Sequence, residues 1–145
     1  MQVKNQGIDQ DLFAYIVDSV KNTPYYNLLG VRVSELGPGC AEFTVNTAKV
    51  HTNPMGIIHG GLYMSMADAA MGNAVRSLGI RGVTCECSIQ ILASTGLEQT
   101  VAARGQVMKA GRNLIFVRAE VRTGDTLLCC CQGSFFNTGQ IDPHH

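Results

Sequence analysis

The sequence predicts an α+β domain in which an antiparallel sheet of about six strands packs against one long buried helix. Two observations predict this arrangement. Segments 84–93, 99–109 and 113–123 alternate between apolar and polar residues, as strands with one buried face do. Residues 60–78 are apolar on nearly every side, which is typical of a helix enclosed by other structure. No repeat or linker is visible, so the 145 residues are predicted to form one domain.

The chain before residue 60 is predicted to form a short helix, a strand pair and a loop. Leu12, Ile16 and Val20 lie four residues apart, which indicates an amphipathic helix. Pro24 is expected to end this helix, because proline cannot continue one. The elements predicted here are a helix over 9–21, two hairpin strands over 28–36 and 40–47, and a loop over 48–58.

A fourth strand, 126–136, is predicted after the three alternating segments. In segment 84–93, strict alternation places Thr84 on the polar face and four residues on the apolar face: Cys85, Cys87, Ile89 and Ile91. Small residues on the inward face of the next strands are expected to let the sheet approach the helix closely: Ala103, Gly105 and Ala119.

The composition excludes several classes of protein. The formal net charge is zero and 15% of residues are charged, whereas a nucleic-acid-binding surface needs a basic excess. No apolar run approaches the ~20 residues of a membrane-spanning helix. The polar first ten residues do not resemble a signal peptide. We therefore expect a cytoplasmic protein without nucleic-acid or membrane partners.

The six cysteines are predicted to be packing residues. Their spacing lacks the C-x-x-C pairs of a structural zinc site, so no metal site is predicted. Free cysteine in a strand behaves as a small buried hydrophobe. No cofactor is predicted either.

Asp68 is the one acid within the long apolar helix. None of its neighbours three, four or seven residues away carries a positive charge, so no ion pair within the helix explains it. A buried carboxylate without a partner costs several kcal/mol. Two interpretations therefore remain: Asp68 faces water or a residue distant in sequence, or it performs chemistry, since perturbed acids cluster at active sites.

Gly60 and Gly61 begin the helix, where the first backbone N–H groups have no partner within the helix and the helix dipole is positive. A flexible entry turn would also explain this pair. Without side chains, however, a substrate carbonyl can approach these amides and gain oxyanion stabilisation of about 3 kcal/mol per donor.

The segment N-P-M-G-I-I-H-G-G at 53–61, followed by Asp68, resembles the hotdog-fold acyl-CoA thioesterases. The similarity is greatest to the phenylacetate-pathway (PaaI-like) subgroup of the 4-hydroxybenzoyl-CoA thioesterase superfamily and covers roughly residues 27–136. T-C-E-C-S-I at 84–89 and K-A-G-R-N-L at 109–114 resemble later strands of that family. The resemblance implies a single hotdog domain with a helical extension over 1–26, a core over 27–137 and a tail over 138–145.

The resemblance also implies roles for individual residues. Asn53 would orient the water or the thioester, His59 would shape the carbonyl site together with the Gly60 amide, and Thr84 would lie near the Asp68 carboxylate. Substrate contacts are further expected at Gly61 and, for the phosphates of coenzyme A, at Lys109 and Arg112, which could equally be solvated turn charges. We expect the acyl pocket to involve residues of the helix: Leu62, Tyr63 and Met66.

Geometry favours a site shared between subunits. Gly60 and Asp68 are eight residues apart, which is ~12 Å along a helix, whereas both must lie ~3 Å from the reacting group. Asp68 of one subunit would therefore face Gly60 of another. The family resemblance implies a homodimer with one continuous sheet, and often a homotetramer built as a dimer of dimers.

The predicted reaction is hydrolysis of an acyl-CoA thioester, with Asp68 as general base or nucleophile and without metal or redox cofactor. The alternative is a non-catalytic acyl-CoA-binding module on the same fold, which would gain nothing from a desolvated carboxylate. A hotdog dehydratase would need a differently spaced histidine and acid, and a purely structural oligomer would leave Asp68 unexplained.

Overall fold

The computed structural model describes residues 2–145, which form one seven-stranded sheet and three α-helices. The helices are α1 (Gln10–Lys21), α2 (Pro24–Leu29) and α3 (Gly60–Arg76), with a 3₁₀ turn at Lys49–His51. The strands are β1 (Lys4–Asn5), β2 (Arg32–Gly37), β3 (Cys40–Asn46), β4 (Ile80–Ile91), β5 (Thr100–Ala110), β6 (Leu114–Thr123) and β7 (Thr126–Gln140).

The sheet has the strand order β1-β2-β3-β5-β6-β7-β4. All neighbouring pairs are antiparallel except β1 and β2, which are parallel. The predicted α+β class is therefore confirmed. The two-residue strand β1 is the addition to the six predicted strands. Because β4 follows α3 in the chain but lies beyond β7 in the sheet, α3 crosses the inner face of the sheet.

Helix α3 is buried on most of its surface, as its apolar sequence predicts. Ten of its 17 residues are buried, including Ala67, Ala70 and Ala74. The sheet comes so close that a Cβ added to Gly105 would lie 2.5 Å from the carbonyl oxygen of Ala70. The predicted close approach of small inward-facing residues is thereby confirmed at Gly105.

The N-terminal region differs from the prediction at Pro24. Pro24 is expected from the sequence to end the first helix, which ends at Lys21, but Pro24 itself begins a second helix, α2. Its fixed φ and missing N–H suit the first position of a helix. Helix α2 ends at Gly30, whose φ of 75° is left-handed. Strand β2 therefore begins at Arg32, four residues later than predicted.

Strand β4 lies at the edge of the sheet and pairs only with β7 within the described chain. Its predicted buried face is wrong: Cys85 and Cys87 are exposed and Ile91 is 43% exposed. The reason is that no other strand of the described chain lies on the outer side of β4, although Gly82 and Thr84 lie beside α3. The prediction that the cysteines are packing residues is therefore right for Cys129 and Cys131, which are buried, and wrong for these two.

Candidate active site

The Asp68 carboxylate is half-buried on α3 and accepts one hydrogen bond, from Thr84 Oγ1 at 2.8 Å. Asp68 forms no ion pair with any residue that the structure describes. Asp68 thus has a partner distant in sequence, as one of the alternatives above allowed. That partner is the neutral hydroxyl of Thr84. The negative charge of Asp68 is therefore oriented but not neutralised.

Thr84 faces Asp68 because of a β-bulge in β4. Thr84 pairs with Phe135 and Glu86 pairs with Ser134, so β4 advances two residues while β7 advances one. The extra residue, Cys85, reverses the alternation. Strict alternation placed Thr84 on the outer face, whereas the bulge turns it to the inner face beside α3.

The start of α3 presents one free amide. His59 is the N-cap, and its Nδ1 accepts a hydrogen bond from the Gly61 amide at 2.8 Å. The Gly61 amide, a predicted substrate contact, is thus already occupied by His59. The Gly60 amide makes no hydrogen bond to any group in residues 2–145. The backbone donor at this end of α3 that is open to a substrate is therefore that of Gly60.

Asn53 organises the loop that leads to α3. Its side-chain Oδ1 accepts hydrogen bonds from the amides of Met55 at 3.0 Å and Ile57 at 3.3 Å, which closes a turn. The Nδ2 group donates to no acceptor in the described part of the chain. The side-chain oxygen of Asn53 therefore holds the turn, and its side-chain NH₂ group remains able to donate to a ligand.

Lys109 and Arg112 do not join these residues in the same chain. They lie at the β5–β6 connection, both exposed. In β5 the Val107 amide donates a hydrogen bond to the Gly39 carbonyl oxygen, and the Gly39 amide donates to Ser77 Oγ just past the end of α3. The two cations are consequently at the C-terminal end of α3, opposite to Gly60.

Two clefts lie along the exposed side of α3. The larger, of about 520 Å³, contains Asp68 and is otherwise mostly apolar; we call it the Asp68 cleft. It is bordered by α2, α3 and β4, through Tyr25, Tyr26, Met64, Ser65, Cys87 and Ile89. The smaller, of about 240 Å³, contains His59 and Gly61; we call it the helix-start cleft.

The acyl pocket predicted from α3 is wrong in two of its three residues. Tyr63 is 1% exposed and Met66 is 0% exposed, so both face the sheet and belong to the core. Leu62 borders the helix-start cleft. Tyr25 and Tyr26 could not be predicted as site residues, because no local pattern in the sequence indicates α2 or its contact with α3.

Two groups beside Asp68, the Tyr26 hydroxyl and the Cys87 thiol, have raised pKa values. Burial raises the pKa of the Tyr26 hydroxyl, and the nearby Asp68 charge raises it further. The pKa of the Cys87 thiol is raised by the same two causes, with Glu86 contributing. The Tyr26 hydroxyl and the Cys87 thiol therefore stay protonated at neutral pH.

Residues 55–130, just over half of the chain, match the model of the family described as the Thioesterase superfamily. The chain belongs to the thioesterase superfamily. This membership confirms the predicted resemblance and the prediction of a hydrolase. The matched residues include the start of α3, Asp68 and Thr84.

Proteins similar to this thioesterase-superfamily chain include the human acyl-coenzyme A thioesterase 13, which is 24% identical over 88% of this chain and 93% of its own length. The Escherichia coli PaaI protein from the phenylacetic acid degradation operon superposes with a TM-score of 0.86, at 21% identity, over 92% of this chain and 98% of PaaI. That likeness confirms the predicted hotdog fold. A hypothetical thioesterase of Streptococcus pneumoniae, solved with coenzyme A, has a TM-score of 0.74 and 25% identity over 77% of this chain and 91% of its own.

Within residues 2–145 of this thioesterase-superfamily chain, no helix combines the length and apolar character needed to cross a bilayer.

Proposed function

We propose that this protein hydrolyses acyl-CoA thioesters to free acid and coenzyme A. The observation that carries the proposal is the Asp68 carboxylate, un-neutralised and oriented by Thr84 in an open, mostly apolar cleft. A carboxylate in such a place serves as a base or nucleophile but contributes nothing to holding an acyl chain. The name of the human relative and the coenzyme A in the pneumococcal structure support acyl-CoA as the substrate.

The proposed chemistry begins with the thioester carbonyl oxygen on the Gly60 amide, with the free Nδ2 of Asn53 as a second donor. Asp68 removes a proton from water as the water oxygen attacks the carbonyl carbon, or the carboxylate attacks directly and forms a mixed anhydride that water cleaves. In both routes the Gly60 amide stabilises the oxyanion. In the general-base route the C–S bond then breaks, and the proton on Asp68 passes to the departing thiolate of coenzyme A. In the nucleophilic route the C–S bond breaks as the anhydride forms, and the water that later cleaves the anhydride supplies the proton that the thiolate takes up. His59 holds the Gly61 amide and so keeps the helix start in shape.

The site is proposed to be shared between two copies of the chain. Gly60 and Asp68 of one copy are ~12 Å apart along α3, and the Asp68 cleft opens on the side of the unpaired edge of β4. Exposed apolar side chains border that edge, Met64 at 46% and Ile91 at 43%. A second copy that pairs with β4 would cover them and extend the sheet. We propose a homodimer of this kind, able to associate further into a dimer of dimers.

This arrangement offers a role for Lys109 and Arg112. A twofold axis perpendicular to the paired β4 strands would place the C-terminal end of one α3 beside the N-terminal end of the other. The cations at the C-terminal end would then approach the partner's helix start. They are proposed to bind the coenzyme A phosphates there.

The test is thiol release from butyryl-, octanoyl-, dodecanoyl-, hexadecanoyl- and aryl-CoA, followed with a thiol-reactive dye. The Asp68→Asn variant is expected to keep its thermal transition and to lose turnover by a factor on the order of 10²–10⁴. Asp125→Asn, which removes an exposed acid at the β6–β7 turn, serves as the matched control and is expected to match the wild type. Turnover by Asp68→Asn at the wild-type rate would contradict the mechanism. Tight acyl-CoA binding without thiol release by the wild type would favour the binding module.

A further inference from the structure

Tyr25 bridges α2 and α3 beside the candidate active site. Its hydroxyl lies 2.5 Å from Ser65 Oγ, although the two residues are 40 positions apart. Ser65 lies three residues before Asp68 on α3, so both side chains occupy the same face of the helix. The Tyr25 ring is 52% exposed and stands at the rim of the groove along α3.

Tyr25 and Ser65 border both clefts on α3. They line the Asp68 cleft on one side and the helix-start cleft on the other. The bonded pair is therefore a partition that divides one groove into two parts. Removal of the Tyr25 ring is therefore expected to join the two volumes, which are about 520 Å³ and 240 Å³.

The side of the Asp68 cleft formed by α2 is anchored to the rest of the fold. Tyr26 is largely buried, and its ring contacts Phe43 edge-on with centroids 5.7 Å apart. Behind it, Arg76 donates to Asn73 at 2.9 Å and to Ser19 of α1 at 2.8 Å, which anchors the helical extension on α3. Helix α2 is also held at its end, where His51 Nε2 binds the Leu29 carbonyl oxygen at 2.7 Å. Removal of the Tyr25 ring is thus expected to enlarge the cleft while leaving the contacts of Tyr26, Arg76 and His51 intact.

We propose that Tyr25, held by Ser65, is a specificity-determining residue that limits the length of the acyl group. This inference rests on the proposed function and adds the substrate class. The acyl group lies in the Asp68 cleft against Tyr26, Met64 and Ile89, and the Tyr25 ring blocks its extension toward the helix start. The favoured substrates are therefore compact acyl groups, and long alkyl chains are disfavoured.

The proposed test compares kcat/KM for dodecanoyl-CoA with that for butyryl-CoA in the wild type and in Tyr25→Ala. Each additional methylene that becomes buried strengthens binding by about fourfold, so the ratio is expected to rise at least tenfold in Tyr25→Ala. Tyr25→Phe and Ser65→Ala keep the ring but remove the hydrogen bond, and both are expected to give ratios between wild type and Tyr25→Ala. Leu28→Ala, which alters a 73% exposed residue of the same helix, is the control and should leave the ratio unchanged.

The outcomes separate this inference from the proposed function. A wild type that releases thiol, with an unchanged ratio in Tyr25→Ala, would overturn the role of Tyr25 and leave hydrolysis standing. An equal shift in Leu28→Ala would also overturn it, because general loosening of α2 would then be the cause. A wild type that hydrolyses none of the acyl-CoAs would overturn both proposals.

Discussion

Thr84 Oγ1 donates a hydrogen bond of 2.8 Å to Asp68 Oδ1, across the boundary between β4 and α3. The bond fixes which oxygen of the carboxylate remains open to the cleft. It satisfies part of the carboxylate without placing a positive charge beside Asp68. Catalysis by Asp68 is therefore expected to depend on the Thr84 hydroxyl.

Replacing Thr84 with Val is expected to lower kcat by about 10- to 100-fold, since a hydrogen bond to a charged group contributes roughly 1.5–3 kcal/mol. The shape of the side chain is retained, so the thermal transition should change little. Thr84→Ser keeps the hydroxyl and is expected to retain most of the activity. Steady-state kinetics of the two variants measure the effect, and a wild-type kcat in Thr84→Val would show that the bond is not needed.

Gly60→Pro removes one backbone N–H and leaves the helix start in place. Proline suits the first helical position, and His59 at φ −65° and ψ 132° has a conformation that a residue before proline adopts. Loss of this oxyanion donor is expected to lower kcat by about 10²–10³. Gly60→Ala is the control, because it keeps the amide while its Cβ meets only the flexible end of Ile91, at 2.9 Å. Equal losses in both variants would indicate a packing effect instead.

Mixing two inactive variants tests whether the site is shared. In a dimer of one Asp68→Asn chain and one Gly60→Pro chain, one of the two sites combines an intact Asp68 with an intact Gly60. Refolding the variants together should restore about a quarter of wild-type turnover, because about half of the dimers are mixed and each has one intact site. Each variant refolded alone is the control. No recovery, with mixed dimers verified by native mass spectrometry, would place the whole site within one chain.

Gly105 is expected to tolerate no side chain. A Cβ there would lie 2.5 Å from the Ala70 carbonyl oxygen, a backbone atom that cannot move aside. Gly105→Ala should therefore lower the free energy of unfolding by at least about 1–3 kcal/mol. Gly72→Ala adds the same methyl group on α3, at an ordinary 3.5 Å from the Phe135 ring, and should raise stability by up to about 1 kcal/mol through helix propensity. Urea denaturation compares the two, and equal effects would contradict the close contact.

Stability is expected to fall in alkaline solution because of two buried thiols. Burial raises the pKa of Cys129 to about 11 and that of Cys131 to about 12, from 9.0. Above pH 9 the unfolded chain therefore loses these protons while the folded chain retains them, so the free energy of unfolding declines as pH rises from 9 to 12. The variant with Cys129→Ala and Cys131→Ala should show a shallower decline in chemical denaturation between pH 8 and 10.5. Parallel declines would exclude the thiols as the cause.

The parts of the site that the sequence predicted are those that depend on one element. The start of α3 at Gly60 and the absence of an ion pair to Asp68 from within α3 could be predicted because helix geometry alone relates neighbours along the chain. The helix that begins at Pro24 was missed, since a proline both ends one helix and begins the next. Tyr63 and Met66 were misplaced because an apolar helix does not show which of its faces meets the sheet.

The sequence by itself determined the α+β class, the long buried helix and the residue types at its start, because hydrophobic periodicity and helix-breaking residues act over a few positions. Only the tertiary structure decided how Thr84, which the family resemblance places near Asp68, turns its hydroxyl to the carboxylate, and that Tyr25 reaches Ser65. The first depends on a one-residue bulge against β7, and the second on a contact across 40 positions. Both are set by the pairing and packing of distant segments, on which the local pattern of residues places no constraint.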